Sequence, residues 1–480
     1  MKRTFFKFSL FCLIFLLNAE VSSARDIRVK LADAGRHNIN STGEITLTDS
    51  ANKSHSLGKS TALSISGGAA VSGNRRFSLP ATLRSGSPMG FKGYRYRGIL
   101  RITKQGELIN VLNIEDYLRG VLKAEANPNW PMEYLKVQAI VSRTYAIRES
   151  LAARSREFDV TDTTSSQVYH GMSAETPRTD QAVRETKDKV LAYGNELAFT
   201  PFHSDSGGAT ANNADVWGRD MPYLRSVKEP MAYQSPNSSW EARISPNEVS
   251  RAVQRVTPNV GTVRDITVVN TDQHGRAVDL RITGSNSSAT IRASAFRTAI
   301  GPNKLKSTFL VLPAASNNTR QVQTQQPPRT EPAQTPRAAN GINLNNVNYN
   351  EAMTPQEDAL LTQLFTEGAF SSSEMVEILM KPEKRKEYLY RVLARTSGRG
   401  SQTPPAPPPP PPNKTNSETM PSGASIPFSN GHFVFRGRGW GHGVGMSQYG
   451  AMNLANNGWS AERILTHYFP GTAIKTAVAR

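Results

Sequence analysis

Residues 120–131 read GVLKAEANPNWP, and their one carboxylate sits where an apolar residue belongs. Ile114, Leu118 and Val121 are spaced as one face of a helix, and the next position on that face is Glu125. A carboxyl group that continues a buried stripe, between Ala124 and Ala126 with Trp130 close behind, is partly desolvated. Desolvation disfavours the charged form and raises the pKa. Such a group keeps its proton near neutral pH and can donate it as a general acid. The competing reading is structural: Glu125 lies in solvent at the helix end, or pairs with Arg143 of the following helix.

Two other stretches gather polar side chains around glycines. His203-Ser204-Asp205-Ser206-Gly207-Gly208 looks like the nucleophile loop of chymotrypsin-type proteases. That chemistry needs a histidine base and a buried aspartate supplied from upstream. The upstream histidines stand in no such setting, disulfides are impossible here, and the helix content is wrong for two β-barrels. What remains is a tight turn that needs its glycines, or a hydroxyl-lined cleft wall. The second stretch, GRGWGHGVGMSQYG, has glycines at 437, 439, 441, 443, 445 and 450. Met446 occupies the last position of a dinucleotide fingerprint counted from Gly441, and no βαβ unit precedes the loop. Alternating glycines permit close backbone approach, with Trp440, His442 and Tyr449 among them to stack on or bond to a sugar; the alternative is a closely packed structural loop.

Composition bounds the chemistry. The only cysteine among 480 residues, Cys12, lies in MKRTFFKFSLFCLIFLLNAEVSSA, where Lys2, Arg3 and Lys7 precede an apolar run and small residues end at Ala24. That pattern is expected to be a cleaved secretory leader, its apolar run being short of the roughly 20 residues of a membrane span. The remaining chain has no thiol, which excludes disulfides, cysteine nucleophiles and thiolate zinc sites. Without H-E-x-x-H, eight histidines leave a metal site unsupported, and no cofactor is expected. Loss of the leader, with three basic residues and one acidic, takes the net charge from +18 to +16. An exported protein this basic meets envelope polyanions, such as peptidoglycan carboxylates, teichoic acids or lipid headgroups, rather than nucleic acid; the alternative is charge that serves solubility alone. The expected location is the periplasm, the cell envelope or the medium.

The elements that must position these residues follow from periodicity. Residues 26–112 carry short β-type runs between turns, including IRVKLAD and GEITLTD. Helices are expected over Ile114–Ala126 and Met132–Ala152, with Asn127-Pro128 ending the first. VTDTTSSQVY is too hydroxyl-rich for a core strand. Further helices are expected near 177–189, from Ser245-Pro246, near Met446–Asn456 and from Ser460, with a hairpin in ITVVNTDQHGRAVDLRIT and a strand in STFLVLP. The expected fold class is α+β, a sheet-rich domain with helices around a cleft. Its expected division is a leader over 1–24, a main part over 25–313, a disordered linker over 314–353, a small helical insert over 354–396 with a capping box at Thr354 to Glu357, a Pro-rich linker over 397–424, and the rest of the domain over 425–480. Asn430-Gly431 marks a two-residue hairpin at the return.

Four blocks resemble the SpoIID family, named for the stage II sporulation protein D and including the amidase enhancer LytB. They are VLNIEDYLRGVLKAEANPNWPMEYLKVQAIVSRTYA; DTTSSQVYHG; AFTPFHSDSGGAT with DVWGRDMPYLRSV; and FVFRGRGWGHGVGMSQYGAMNLANNGWSAERILTHYFPGT. The resemblance says nothing about 314–424. It implies a lytic transglycosylase that cuts the bond between N-acetylmuramic acid and N-acetylglucosamine in peptide-free glycan strands, leaving 1,6-anhydro ends. The family's catalytic glutamate falls on Glu125. Thr163, Ser165, Gln167, Tyr169, His203, Ser204 and Ser206 would then line a glycan cleft, with Trp440, His442, Gln448 and Tyr449 contacting sugars. Some members bind zinc partly through cysteines in the second block; Ser166 stands where a thiol would be expected, which implies no zinc of that kind. The alternative implied by the LytB branch is a noncatalytic murein binder that stimulates a partner amidase, and the helical insert is a candidate surface for such an envelope protein.

Overall fold

The computed structural model describes residues 25–312 except 154 and 164, residues 419–477, and isolated positions between 354 and 390. The expected leader, the 314–353 linker and most of the 354–424 segment lie outside the described residues. Within the insert, Thr354 and Glu357 do make the reciprocal bonds of a capping box, and the Tyr390 hydroxyl donates to Glu357 at 2.8 Å.

Alternation with a period of two builds the first part. Strand Asp26–Ala32 turns Ile27, Val29 and Leu31 inward, and Ile45–Thr48 does the same with Ile45 and Leu47. A seven-stranded sheet runs in the order 160–161, 26–32, 108–113, 99–102, 81–85, 45–48, 54–56, and a six-stranded sheet runs 94–96, 89–91, 36–41, 60–66, 69–72, 75–78. Inward side chains of both, among them Val29, Leu47, Leu63, Phe77 and Leu100, belong to one apolar cluster. The mixed α+β architecture agrees with the class expected from the sequence. The hydroxyl-rich 159–169 stretch contributes only the short parallel strand Val160–Thr161 beside Asp26–Ala32.

Helix α1 (Ile114–Glu125) packs Ile114, Tyr117, Leu118, Val121 and Leu122 into the same cluster. Asn113 caps its start by accepting from the Glu115 N–H, and the chain leaves it at Ala126 in an extended conformation. Pro128 biases Asn127 away from helical geometry, so the helix ends before it reaches solvent. Helix α2 (Met132–Ala152) is buried along most of its length and meets α1, helix α3 (Pro177–Glu185) and the C-terminal helices. Arg143 of α2, wholly buried, makes a bidentate pair with Glu115 at 2.8 and 2.7 Å and donates to the carbonyls of Val183 and Lys189. The expected option of an Arg143–Glu125 pair is therefore not taken up.

A second apolar cluster forms around Ile266, Leu280, Phe296 and Phe435. It gathers the hairpin Val263–Thr271 and Ala277–Gly284, the strand Ser288–Arg292, and strands Trp240–Ile244 and His432–Gly437. The short helix α4 (Asn213–Trp217) packs Val216 against the first cluster, while α5 (Pro246–Gln254) and α6 (Ala293–Ile300) cover the second. Sequence reasoning missed α6 because Arg292 precedes it with no side-chain cap. Helices α7 (Gln448–Asn456) and α8 (Ala461–Tyr468) return to the first cluster. The helix expected from Met446 starts two residues later, since Met446 and Ser447 pair in parallel with Phe202 and His203 and Ser447 becomes the cap.

The expected strand STFLVLP is reduced to bridges of Leu310 to Gly437 and Val311 to Thr419. Thr419 and Met420, within the stretch expected to be a linker, already belong to this part, Met420 being buried in the second cluster. Val311 and Thr419 face each other across a bridge, so a hairpin turn can join them. Deleting 314–417 and closing the gap with a short glycine-rich turn is expected to leave one cooperative thermal transition. Extending the deletion through 424 removes Met420 and is expected to cost about 2–5 kcal/mol, read as a lower melting temperature. Loss of cooperativity in the shorter deletion overturns this.

Candidate active site

Glu125 is the last residue of α1, so its side chain leaves the helix just where the chain turns away. The Val168 N–H donates to its Oε1 at 3.1 Å. From the other side the Gln448 amide donates to the Glu125 backbone carbonyl at 2.9 Å, which locks the end of α1 to the start of α7. Below lie neutral groups: the Tyr134 hydroxyl donates to Gln138 Oε1 at 3.0 Å, and the Tyr117 hydroxyl to Gln167 Oε1 at 3.1 Å. Trp130 stands edge-on to Tyr134 at 4.8 Å and to Tyr449 at 5.3 Å between ring centroids, forming an aromatic wall. Burial pushes the Glu125 pKa up from 4.5 to about 7, and the Val168 N–H opposes that only in part. Glu125 itself is half-buried, so the carboxyl is desolvated yet open to a ligand.

The other candidates separate into groups. Gln448 joins Glu125 directly, and Tyr449 joins the aromatic wall at Trp130 while its N–H donates to the Ser204 carbonyl at 3.0 Å. Gln167 is fully buried behind Val168, and its Nε2 has no hydrogen-bond partner among the described residues. Thr163 and Ser165 are exposed on the loop leading to Val168. Tyr169 is instead a core residue, 1% exposed, with its hydroxyl on Asn110 at 2.9 Å. In this conformation it presents no surface to a glycan.

Ser206 is likewise withdrawn from the cleft. Its Oγ donates to Glu229 at 2.9 Å, in a buried network with Tyr233, Ser447 and Tyr468. His203 and His442 serve the backbone. His442 Nε2 donates to the Phe202 carbonyl at 3.0 Å while its Nδ1 accepts from the Val444 N–H at 3.1 Å, which fixes a neutral tautomer. Burial, then the Arg297 charge, pull its pKa down to about 4. His203 donates to the Val444 carbonyl at 3.2 Å and is held neutral by burial and by His442. Trp440 is grouped with Lys306, whose ammonium lies 5.6 Å from its ring centroid, and not with Glu125. The reason is close packing: a Cβ on Gly441 would meet His203 Cβ at 2.5 Å, and one on Gly445 the Pro201 carbonyl at 2.2 Å. The glycine-dense loop is thus mainly the structural alternative, with Gln448 and Tyr449 at its end reaching the site.

Sequence reasoning did not name Tyr117, Tyr134, Gln138 and Val168 as site residues, and Trp130 only as a neighbour of Glu125. Trp130 and Tyr134 carried a signal, two aromatics one turn apart beside the odd carboxylate; the Val168 N–H carried none. Among the described residues, no three His, Cys, Asp or Glu side chains converge to hold a metal ion.

Comparison with known proteins was consistent with these blocks. The stage II sporulation protein (SpoIID) family matches residues 103–193, which include α1, Glu125 and Val168. An uncharacterized protein of Brachyspira hyodysenteriae is 31% identical over 229 residues, 47% of this chain and 61% of that protein. The amidase enhancer of Bacillus subtilis is 24% identical over 360 residues, 74% of this chain and 40% of the enhancer. The stage II sporulation protein D of Bacillus subtilis is 34% identical over 138 residues, 26% of this chain and 40% of that protein. The chain therefore spans less than two thirds of each of these relatives.

The raised pKa has a thermodynamic sign. Between pH 4.5 and about 7 the folded protein keeps a proton on Glu125 that the unfolded chain has released, so this group lowers stability as pH rises through that window. Glu125→Gln keeps an acceptor for Val168 and removes the charge. It is expected to stabilise the fold at pH 8 by up to about 3 kcal/mol, less in proportion to solvent access, read as a higher melting temperature, and to leave the melting temperature unchanged at pH 4. An equal shift at both pH values would contradict a desolvated carboxyl.

Proposed function

We propose that the protein is a peptidoglycan lytic transglycosylase that cleaves peptide-free glycan strands with Glu125 as its single acid and base. The observation that carries this reading is the half-open carboxyl with its pKa pushed to about 7, held among the described residues by one N–H and no cation. Similarity to a stage II sporulation protein D supports it. In the first step the protonated carboxyl gives its proton to the glycosidic oxygen as the bond to C1 of the muramic acid breaks. In the second, the resulting carboxylate takes the proton of the C6 hydroxyl while that oxygen bonds to C1. The strand ends in a 1,6-anhydro sugar, no water is consumed, and Glu125 regains its proton. A second carboxylate is not needed, unlike the paired carboxylates of common glycosidases. Trp130 and Tyr449 offer ring faces and edges to the sugar, and Gln448 fixes the acid's backbone.

A noncatalytic role is the second reading, favoured by one observation: similarity to an amidase enhancer extends over 74% of this chain. There Glu125 would hold a strand rather than cut it, and the partner would be a cell-wall amidase, with 354–396 as its candidate contact. In both readings the protein works outside the cytoplasm, on murein.

Incubation of purified peptide-free strands with the protein, followed by mass spectrometry, separates the two. Anhydro-ended fragments are expected from the wild type, with the rate falling about tenfold per pH unit above 7 as Glu125 loses its proton. Glu125→Gln is expected to lower that rate by about 10²-fold or more. Intact strands with both proteins would sink the catalytic reading and leave the enhancer.

A further inference from the structure

A recess of about 560 Å³ opens between α4, the end of α5 and α6, apart from the Glu125 site. Arg255, Arg292 and Arg297 line it together with Trp217 and His442, and no carboxylate does. Arg297 is the decisive residue. It is 8% exposed, and its Nε donates to the Lys306 carbonyl at 3.0 Å. That is its one hydrogen bond among the described residues, which leaves both Nη groups without a partner and the charge without a counter-ion. Buried charges are ordinarily paired, because an unpaired one is expensive. The groups that feel its charge, His442, His203 and Arg276, are neutral or positive themselves.

At the rim, Arg292 is half-exposed and only loosely paired with Asp279 at 3.5 Å, and Arg255 donates to the Ala299 carbonyl. Trp217 is 47% exposed, although its ring packs against His442 with centroids 4.8 Å apart. An open indole beside an uncompensated guanidinium suits a ligand with a flat apolar face and an anion. His442 also ties the recess to the Glu125 site: six residues later, Gln448 holds the Glu125 carbonyl, a separation of about 20 Å of backbone at most.

We propose that this recess binds the carboxylate of an acidic sugar, with Arg297 and Arg292 on the carboxylate and Trp217 on the ring. Resting on the murein reading above, that carboxylate is the free lactyl group of a muramic acid that has lost its peptide. In a peptide-bearing strand the same carbon is an amide, neutral and extended by a bulky chain. The recess thereby selects stripped strands by charge, away from the bond that is cut.

The test uses full-length protein carrying Glu125→Gln, so that strands stay intact, and measures binding to peptide-free strands and to the same strands with their lactyl carboxyls converted to amides. The free-carboxyl strands are expected to bind about tenfold more tightly. Arg297→Gln in that background is expected to erase the difference, while Arg225→Gln, an exposed arginine paired with Asp220, leaves it intact. If Arg297→Gln loses its cooperative melt, Arg292→Gln replaces it and is expected to reduce the preference. Equal binding of the two strand types, or a preference untouched by the recess variants, overturns the proposal, as does inorganic phosphate competing as strongly as the strands. Formation of anhydro ends is scored separately, with wild-type protein on both strand types. Carboxyl-dependent binding without such ends leaves the recess standing and removes the catalytic reading; anhydro ends formed equally from both strand types do the reverse.

Discussion

The constraint on which the rest depends is the backbone pairing between residues 202–211 and 440–447. Phe202 and His203 pair with Met446 and Ser447, Asp205 with Trp440, and Ala211 with Val444. This seam lets a chain that has just laid down the strand His432–Gly437 in the second apolar cluster pass into the first. It admits the loop only because glycines present no Cβ to the opposing backbone. At one end of the seam hang Gln448 and Tyr449, which complete the surroundings of Glu125; nearer its middle His442 turns toward the arginine-lined recess.

Beneath the seam a second glutamate, Glu229, also has its pKa raised to about 7 by burial. The two carboxyls are nonetheless different in kind. Both oxygens of Glu229 accept hydroxyl hydrogen bonds, from Ser206 at 2.9 Å and Tyr468 at 2.7 Å, and the residue is 8% exposed. Glu125 has one oxygen engaged and a face left open. A raised pKa therefore marks desolvation in both places and an accessible carboxyl in only one. Access, rather than acidity, distinguishes them.

How much of this was legible in the sequence varied with the range of the interaction. Glu125 stood out because a helical stripe is local, set by neighbours three and four residues away. The caps of α5 and α8 at Ser245 and Ser460 were legible for the same reason. Tyr169 and Ser206 were misplaced among cleft residues because hydroxyls suit sugars and buried partners equally well. Only the tertiary fold tells the Asn110 amide and the Glu229 carboxylate from a ligand. Arg297 gave no signal at all, since an arginine in a helix is ordinarily a solvated one, and its burial depends on Lys306 and the cover of the recess.

The contact between Gln448 and Glu125 joins positions 323 residues apart. A ribosome that has finished α1 and α2 has therefore produced the acid and half of its aromatic wall but neither the amide that fixes the acid's backbone nor Tyr449. Every chain that stops before Gln448 shares that deficiency. The order of the parts along the polypeptide thus acts as a timing device: completeness of the site reports that synthesis has passed Tyr449.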